Sequence, residues 1–232
     1  MGPGRFSVRG EAGELVDHLP PSMQPSAERA EFYLCLSRAF HAPQTDADAR
    51  AVLDLLPGDL RILNAALRYP IGAELDALDK AAIELKDAET FRLAYARLFL
   101  SPPTPAPLNA GVYLDGGIMG RSTLMMEEWY RRHGLARADG FGDLPDHISM
   151  LLEFLALLWT KATRGEGPSE EAVSWSVNCL RSWLPDLVVR VAEVTAAENL
   201  PAVHLHLIRI VAKAVSHDVA LAEGTVRGDS SD

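Results

Sequence analysis

The chain has 232 residues, with 22 Lys and Arg against 32 Asp and Glu, for a formal charge of −10. Hydrophobic residues at 48% and charged residues at 23% are the proportions of a folded globular protein, which excludes a wholly disordered chain. The acidic balance argues against a nucleic-acid binder, which needs clustered Lys and Arg, and two cysteines, Cys35 and Cys179, are too few for a disulfide framework or a four-thiolate zinc site.

Residues 1–25 hold Gly, Pro and Ser without the apolar run of roughly 7–15 residues that a secretory leader requires. No window reaches the roughly 18 apolar residues of a membrane span. The expectation is a cytoplasmic protein without stable membrane insertion. Its organisation reads as a flexible N-terminal segment over 1–25, an all-α domain over 26–222 and a flexible tail over 223–232.

Within that domain the hydrophobic period is helical. Phe32, Tyr33, Leu36, Ala39 and Phe40 recur at three- and four-residue spacing, with Ser26 as N-cap and Pro43 as stop. A second helix is predicted over 46–56, ended by Pro57-Gly58, and a third over 59–69. Ile71, Leu75, Leu78, Ala82 and Leu85 line the next, and 89–99 forms another. The stretch 101–121 then breaks the rhythm with four prolines (Pro102, Pro103, Pro105, Pro107) and four glycines (Gly111, Gly116, Gly117, Gly120). A long irregular segment inside a compact domain is usually functional.

Helix is predicted again over 122–133, with a second loop over 134–143. Pro145 and Asp146 suit the first turn of a helix carrying Ile148, Leu151, Leu152, Leu155, Leu158 and Trp159. One helix follows over 169–184, Pro185 opens another through 194, and Asn199-Leu200-Pro201 opens the last, with Val203, Leu207, Ile210, Val211 and Val215 inward. No convincing strand and no solenoid repeat is present. The predicted architecture is a single all-α globule of about nine or ten helices.

Catalytic signatures are weak. His204 and His206 are two apart and point to different sides of a helix, and no His-Glu-x-x-His occurs, so no metal is expected. A Gly-x-Ser-x-Gly elbow is missing, and Cys35 and Cys179 lie in apolar helical stretches where an inert buried thiol is expected. The turn 116–123, Gly-Gly-Ile-Met-Gly-Arg-Ser-Thr, has a phosphate-loop flavour and leads into a helix N-terminus. Its spacing is one residue short of a Walker loop, Arg121 replaces the lysine, and no strand precedes it. Nucleotide binding or hydrolysis at this turn is the alternative function. Leu144-Pro145-Asp146-His147 is the most pointed constellation: an acid and an imidazole at a helix mouth between two irregular loops could grip a guanidinium.

Several pieces occur in a specific order. Tyr95-Ala96-Arg97-Leu98-Phe99 precedes the proline-rich segment; Gly111-Val112-Tyr113-Leu114-Asp115 follows; then come Trp129-Tyr130, Gly134, Leu144-Pro145-Asp146-His147 and Glu153-Phe154. This set resembles the TorD/DmsD/NarJ family of redox-enzyme maturation chaperones, over roughly 28–220. Leu108-Asn109-Ala110-Gly111 stands where many members carry Pro-Tyr-Glu-Ser.

The resemblance implies an all-helical cytoplasmic chaperone with no catalytic chemistry and no cofactor of its own, monomeric or homodimeric. Its partner would be the catalytic subunit of a molybdopterin-dependent oxidoreductase, often bound at an N-terminal twin-arginine leader, with cofactor insertion assisted and export delayed. Carried over residue by residue, the peptide-binding set is Tyr95, Leu98, Phe99, Pro102, Tyr113, Asp146, His147 and Glu153. A leader of arginines and apolar residues calls for carboxylates beside an apolar groove. Asp115, Asp143, Asp146 and Glu153 are candidate carboxylates, and Phe99, Tyr113, Met119, Met125 and Met126 candidate walls.

Overall fold

The structure is a computed structural model that describes residues 26–85, 87–135, 144–167 and 170–222. The expected N-terminal segment and C-terminal tail, most of the second loop, and Asp143 lie outside the described residues. Those described form an all-α domain of ten α-helices, with one isolated bridge between Asn109 and His147 and no strand. The helices are α1 (Ala27–Ala39), α2 (Asp46–Arg50), α3 (Leu56–Leu67), α4 (Gly72–Glu84), α5 (Ala88–Phe99), α6 (Ala110–Leu114), α7 (Arg121–Arg132), α8 (Ile148–Thr163), α9 (Glu170–Ala197) and α10 (Val203–Ala222).

Local chemistry sets most of these limits. The Ser26 hydroxyl accepts from Arg29 N at 3.1 Å and caps α1. Thr45 and Asp48 cap α2 reciprocally, and Asp87 caps α5 through Thr90 N at 2.6 Å. Arg68 closes α3 in the left-handed region, at φ 55°.

Three boundaries differ from the sequence reading. Pro57-Gly58 does not break the chain: Pro57 sits in the first turn of α3, where its missing N–H costs nothing, and a π-helical turn over Ala51–Leu55 joins α2 to α3. Pro185 does not open a helix. It lies inside the 28-residue α9, on the exposed side, while Leu180, Trp183, Leu184, Leu187 and Val191 bury the other side continuously. That burial outweighs the helix-breaking tendency of one proline, about 3 kcal/mol. Pro145 and Asp146 precede α8 rather than forming its first turn, and His147 is the N-cap.

The core is one cluster. Helices α1 and α8 pack along much of their length, and α9 pairs with α10 beside them. The α1–α8 pair is antiparallel: the Arg29 guanidinium lies over the Trp159 ring at 4.6 Å, and His41 Nε2 lies 3.4 Å from Glu153 at the other end. A buried polar knot ties α1 to α10. Tyr33 donates to Asp218, Tyr69 donates to the same Oδ2 at 3.0 Å, and Arg29 Nε lies 3.6 Å from Oδ1. Burial and the adjacent carboxylate push the Tyr33 hydroxyl well above its usual range, so it remains a donor.

Candidate functional site: a groove beside a tied hairpin

The irregular segment 101–121 and the start of α8 form one fastening. Asp146 is fully buried, and its carboxylate accepts three hydrogen bonds: from Gly111 N at 2.9 Å, the Thr123 hydroxyl at 3.1 Å and Asn109 Nδ2 at 3.1 Å. Two main-chain bonds, Ala110 N to Asp146 O and Ile148 N to Leu108 O, both 2.9 Å, stitch the same strands of chain together. Gly111 is required here, because a Cβ would stand 2.8 Å from Asp146 Oδ2 and 2.9 Å from Gly117 O. His147 Nδ1 accepts from Ser149 N at 3.3 Å and lies 2.7 Å from its hydroxyl. Tyr130 completes the fastening by donating to Pro145 O at 2.8 Å.

The expected peptide-contacting residues therefore fall into two groups. Tyr95, Leu98, Phe99, Asp146 and His147 are interior, 0–6% exposed, so a bound peptide does not touch them in this conformation. Tyr95 donates to Phe40 O at 2.8 Å, and Tyr95 and Phe99 enclose the buried His204 together with Phe91. Their apolar spacing is that of core, and the direct grip expected of Asp146 and His147 is replaced by a positioning role. Pro102, Tyr113, Asp115 and Glu153 reach the surface. The Tyr113 hydroxyl donates to Pro107 O at 2.9 Å, its ring stacks on Trp183, and Arg190 lies over it at 5.0 Å. Of the expected walls, Met126 is fully buried, whereas Met119 and Met125 are exposed.

Asp115 also settles the turn 116–123. Its Oδ2 accepts from Ser122 N at 2.8 Å at the start of α7, taking up a main-chain donor of the kind that a phosphate would need. A nucleotide would have to compete with this side chain for that donor, which weighs against the nucleotide alternative. Among the described residues no group of three or more His, Cys, Asp and Glu is placed to hold a metal.

A concave groove lies elsewhere, between α1, α7 and α8, with a volume of about 870 Å³. Small side chains open it: Ala27 and Ala30 on α1 face Ala156 and Thr160 on α8 across the antiparallel pair, with Leu34, Met150 and Leu157 completing an apolar floor. Three carboxylates stand around that floor. Glu31 rises from α1, Glu127 from α7 and Glu153 from α8. Glu153 is matched with His41, but neither Glu31 nor Glu127 has a cationic partner among the described residues. The groove's Arg131 is balanced by Glu128, whose carboxyl two arginines, Arg131 and Arg132, hold down at about 2. Arg164 marks the far end.

Of the expected set, only Glu153 lines this groove. Glu31, Glu127 and the alanine faces were missed because they lie in ordinary amphipathic helices. The one available signal was an acid beside small residues at helical spacing, Ala27, Ala30 and Glu31, which does not say where two helices part.

Comparison with known proteins identifies the setting. The family model described as the nitrate reductase delta subunit matches residues 64–188, more than half of the chain. Chaperone protein TorD of Vibrio vulnificus (strain CMCP6) is 30% identical over 181 residues, 72% of this chain and 83% of its own. Tat proofreading chaperone DmsD of Salmonella typhi is 27% identical over 149 residues, 63% of this chain and 68% of its own. A solved chain described as a redox enzyme maturation protein, from Archaeoglobus fulgidus, superposes with a TM-score of 0.50 at 23% identity, covering 81% of this chain and 93% of that one, and so shares the fold. These relatives are named as chaperones, not enzymes. Ordered motifs, all-α architecture and relatives agree: the chain belongs to the TorD/DmsD/NarJ family of redox-enzyme maturation chaperones.

Proposed function

We propose that this protein is a system-specific chaperone for the catalytic subunit of a molybdopterin-dependent oxidoreductase. It receives a segment of that subunit, such as an N-terminal twin-arginine leader, in the groove between α1, α7 and α8. It acts in the cytoplasm, holding the subunit while cofactor is inserted and delaying export until then. The observation that carries this reading is the pairing of an apolar floor with two rim carboxylates, Glu31 and Glu127, that have no cationic partner among the described residues. An arginine in the bound segment supplies the missing charge, and its apolar neighbours cover the alanine and leucine floor.

Isothermal titration with a synthetic peptide of two adjacent arginines flanked by leucine and alanine tests it. The Glu31→Gln/Glu127→Gln double variant should bind at least about tenfold more weakly, a loss of about 1.4 kcal/mol. Raised salt should narrow that difference, because rim charges are screened. Equal affinity in wild type and double variant would reject the groove. Retention of a molybdopterin oxidoreductase subunit by the chain in extracts of its host tests the partner class directly.

A further inference from the structure

Five large apolar side chains stand on and beside the turn of the α6–α7 hairpin, each between 38% and 63% exposed: Leu114 at the end of α6, Ile118 and Met119 in the turn, and Leu124 and Met125 at the start of α7. Turns ordinarily carry polar residues, and a cluster of exposed apolar groups marks a contact surface. The hairpin is not free to fold these groups inward. Asp146 fixes Gly111 and Thr123 on its two limbs, Asp115 fixes Ser122, and Gly120 is so close to Asp115 that a Cβ would lie 2.8 Å from the Asp115 Cβ. The apolar groups thus form a shelf presented on a rigid support.

The shelf continues the groove. Leu124, Glu127 and Arg131 are spaced i, i+3 and i+7 along α7 and share one face of it. Glu127 and Arg131 line the groove, so Leu124 extends the same face one turn past it, toward Ile118 and Met119. The chemistry changes along this line. The groove offers Glu31 and Glu127, which have no cationic partner among the described residues, whereas the hairpin's acid, Asp115, is engaged with Ser122 N. A ligand that runs from one to the other meets the groove's carboxylates first and then a mainly apolar surface of hydrocarbon and thioether, bordered by the exposed Arg121 and Asp115; such groups adapt to varied apolar sequences.

We propose that this shelf is a second client-binding subsite, which takes the apolar continuation of the same polypeptide whose cationic part lies in the groove. The proposal rests on the groove reading above. Binding is then bipartite, and the affinity for a long client segment exceeds that for its basic part alone.

Fluorescence anisotropy with the full chain separates the two claims. The short probe is a labelled peptide with two adjacent arginines, sized to the roughly 21 Å that α8 spans between Met150 and Arg164. Two long probes add about six leucine, valine and alanine residues, an extension of roughly 20 Å, at one end or the other. Wild-type protein should bind one long probe at least about tenfold more tightly than the short one. The Ile118→Ser/Met119→Ser/Leu124→Ser variant changes only exposed side chains. It should lose that gain while keeping wild-type affinity for the short probe. Retention of the gain in the variant, or no gain for either extension in wild type, overturns the shelf while leaving the groove standing. Failure of the short probe to bind, or its indifference to Glu31→Gln/Glu127→Gln, overturns the groove reading and this proposal with it.

Discussion

Asp146 shows how a motif residue can matter without meeting a ligand. A buried carboxylate is costly unless its lone pairs are used, and here three donors use them. Two of those donors, Gly111 and Thr123, belong to the hairpin that carries the apolar shelf, so this acid sets the position of a surface it does not reach. Gly111 is the tightest point of the arrangement. Gly111→Ala should lower stability by about 1–3 kcal/mol, because both atoms facing the added methyl are held in hydrogen-bonded or main-chain positions. Gly72→Ala is the control: nothing lies within 4 Å of its Cβ position, so that variant should be neutral or slightly stabilising. Thermal melts of the two variants check both expectations. The sequence marked Asp146 and His147 as special through their place at a helix mouth. It did not reveal that they face inward, because the groups that bury them come from Leu108–Gly111 and Thr123, brought there by tertiary contacts.

The stripes of apolar residues made α1, α4, α5 and α10 legible to within a residue or two, since each has a cap or breaker at its end and one buried face. Proline was the poorer guide. Pro57 begins a helix, and Pro185 is carried inside α9 because buried residues on both sides of it hold that helix against α10. The cost of that proline is still present in the folded state. Pro185→Ala should raise stability by about 2 kcal/mol, the helix preference of about 3 less about 1 for the looser unfolded chain. A higher urea midpoint with an unchanged slope would confirm it; an unchanged midpoint would mean that the exposed side of α9 already accommodates the ring. The short helix α6, inside a segment expected to be irregular, escaped the sequence reading because five residues carry too little period to detect.

At the scale of the molecule, the all-α class and the single core followed from periodicity, whereas the groove did not. Periodicity tells which face of a helix is buried, but the gap between α1 and α8 arises from which small residues meet, and that is fixed only by assembly. The same assembly seals His204 among Phe91, Tyr95 and Phe99, with no hydrogen-bond partner for either ring nitrogen among the described residues. Burial lowers its pKa to about 3 from an ordinary 6.5. The unfolded chain therefore binds the extra proton between those values, and stability is full above about pH 6.5 and falls as the pH drops toward 3. The contribution is about 1.4 kcal/mol per pH unit. Urea titrations from pH 7 to pH 4 should show a shallower acid limb for His204→Leu than for wild type; parallel limbs would place the acid sensitivity elsewhere. Burial, nearly complete for Cys35 and partial for Cys179, also raises both thiols. Cys35 is pushed up to about 11 by burial and by Glu31, and Cys179 to about 12 by burial and Asp146. Maleimide and oxidants attack the ionised sulfur, and almost none of it exists at neutral pH. The two native thiols thus compete little for a thiol-directed label, and a reporter dye attached through Met119→Cys would sit on the exposed turn of the α6–α7 hairpin, where binding at the proposed shelf would change its emission.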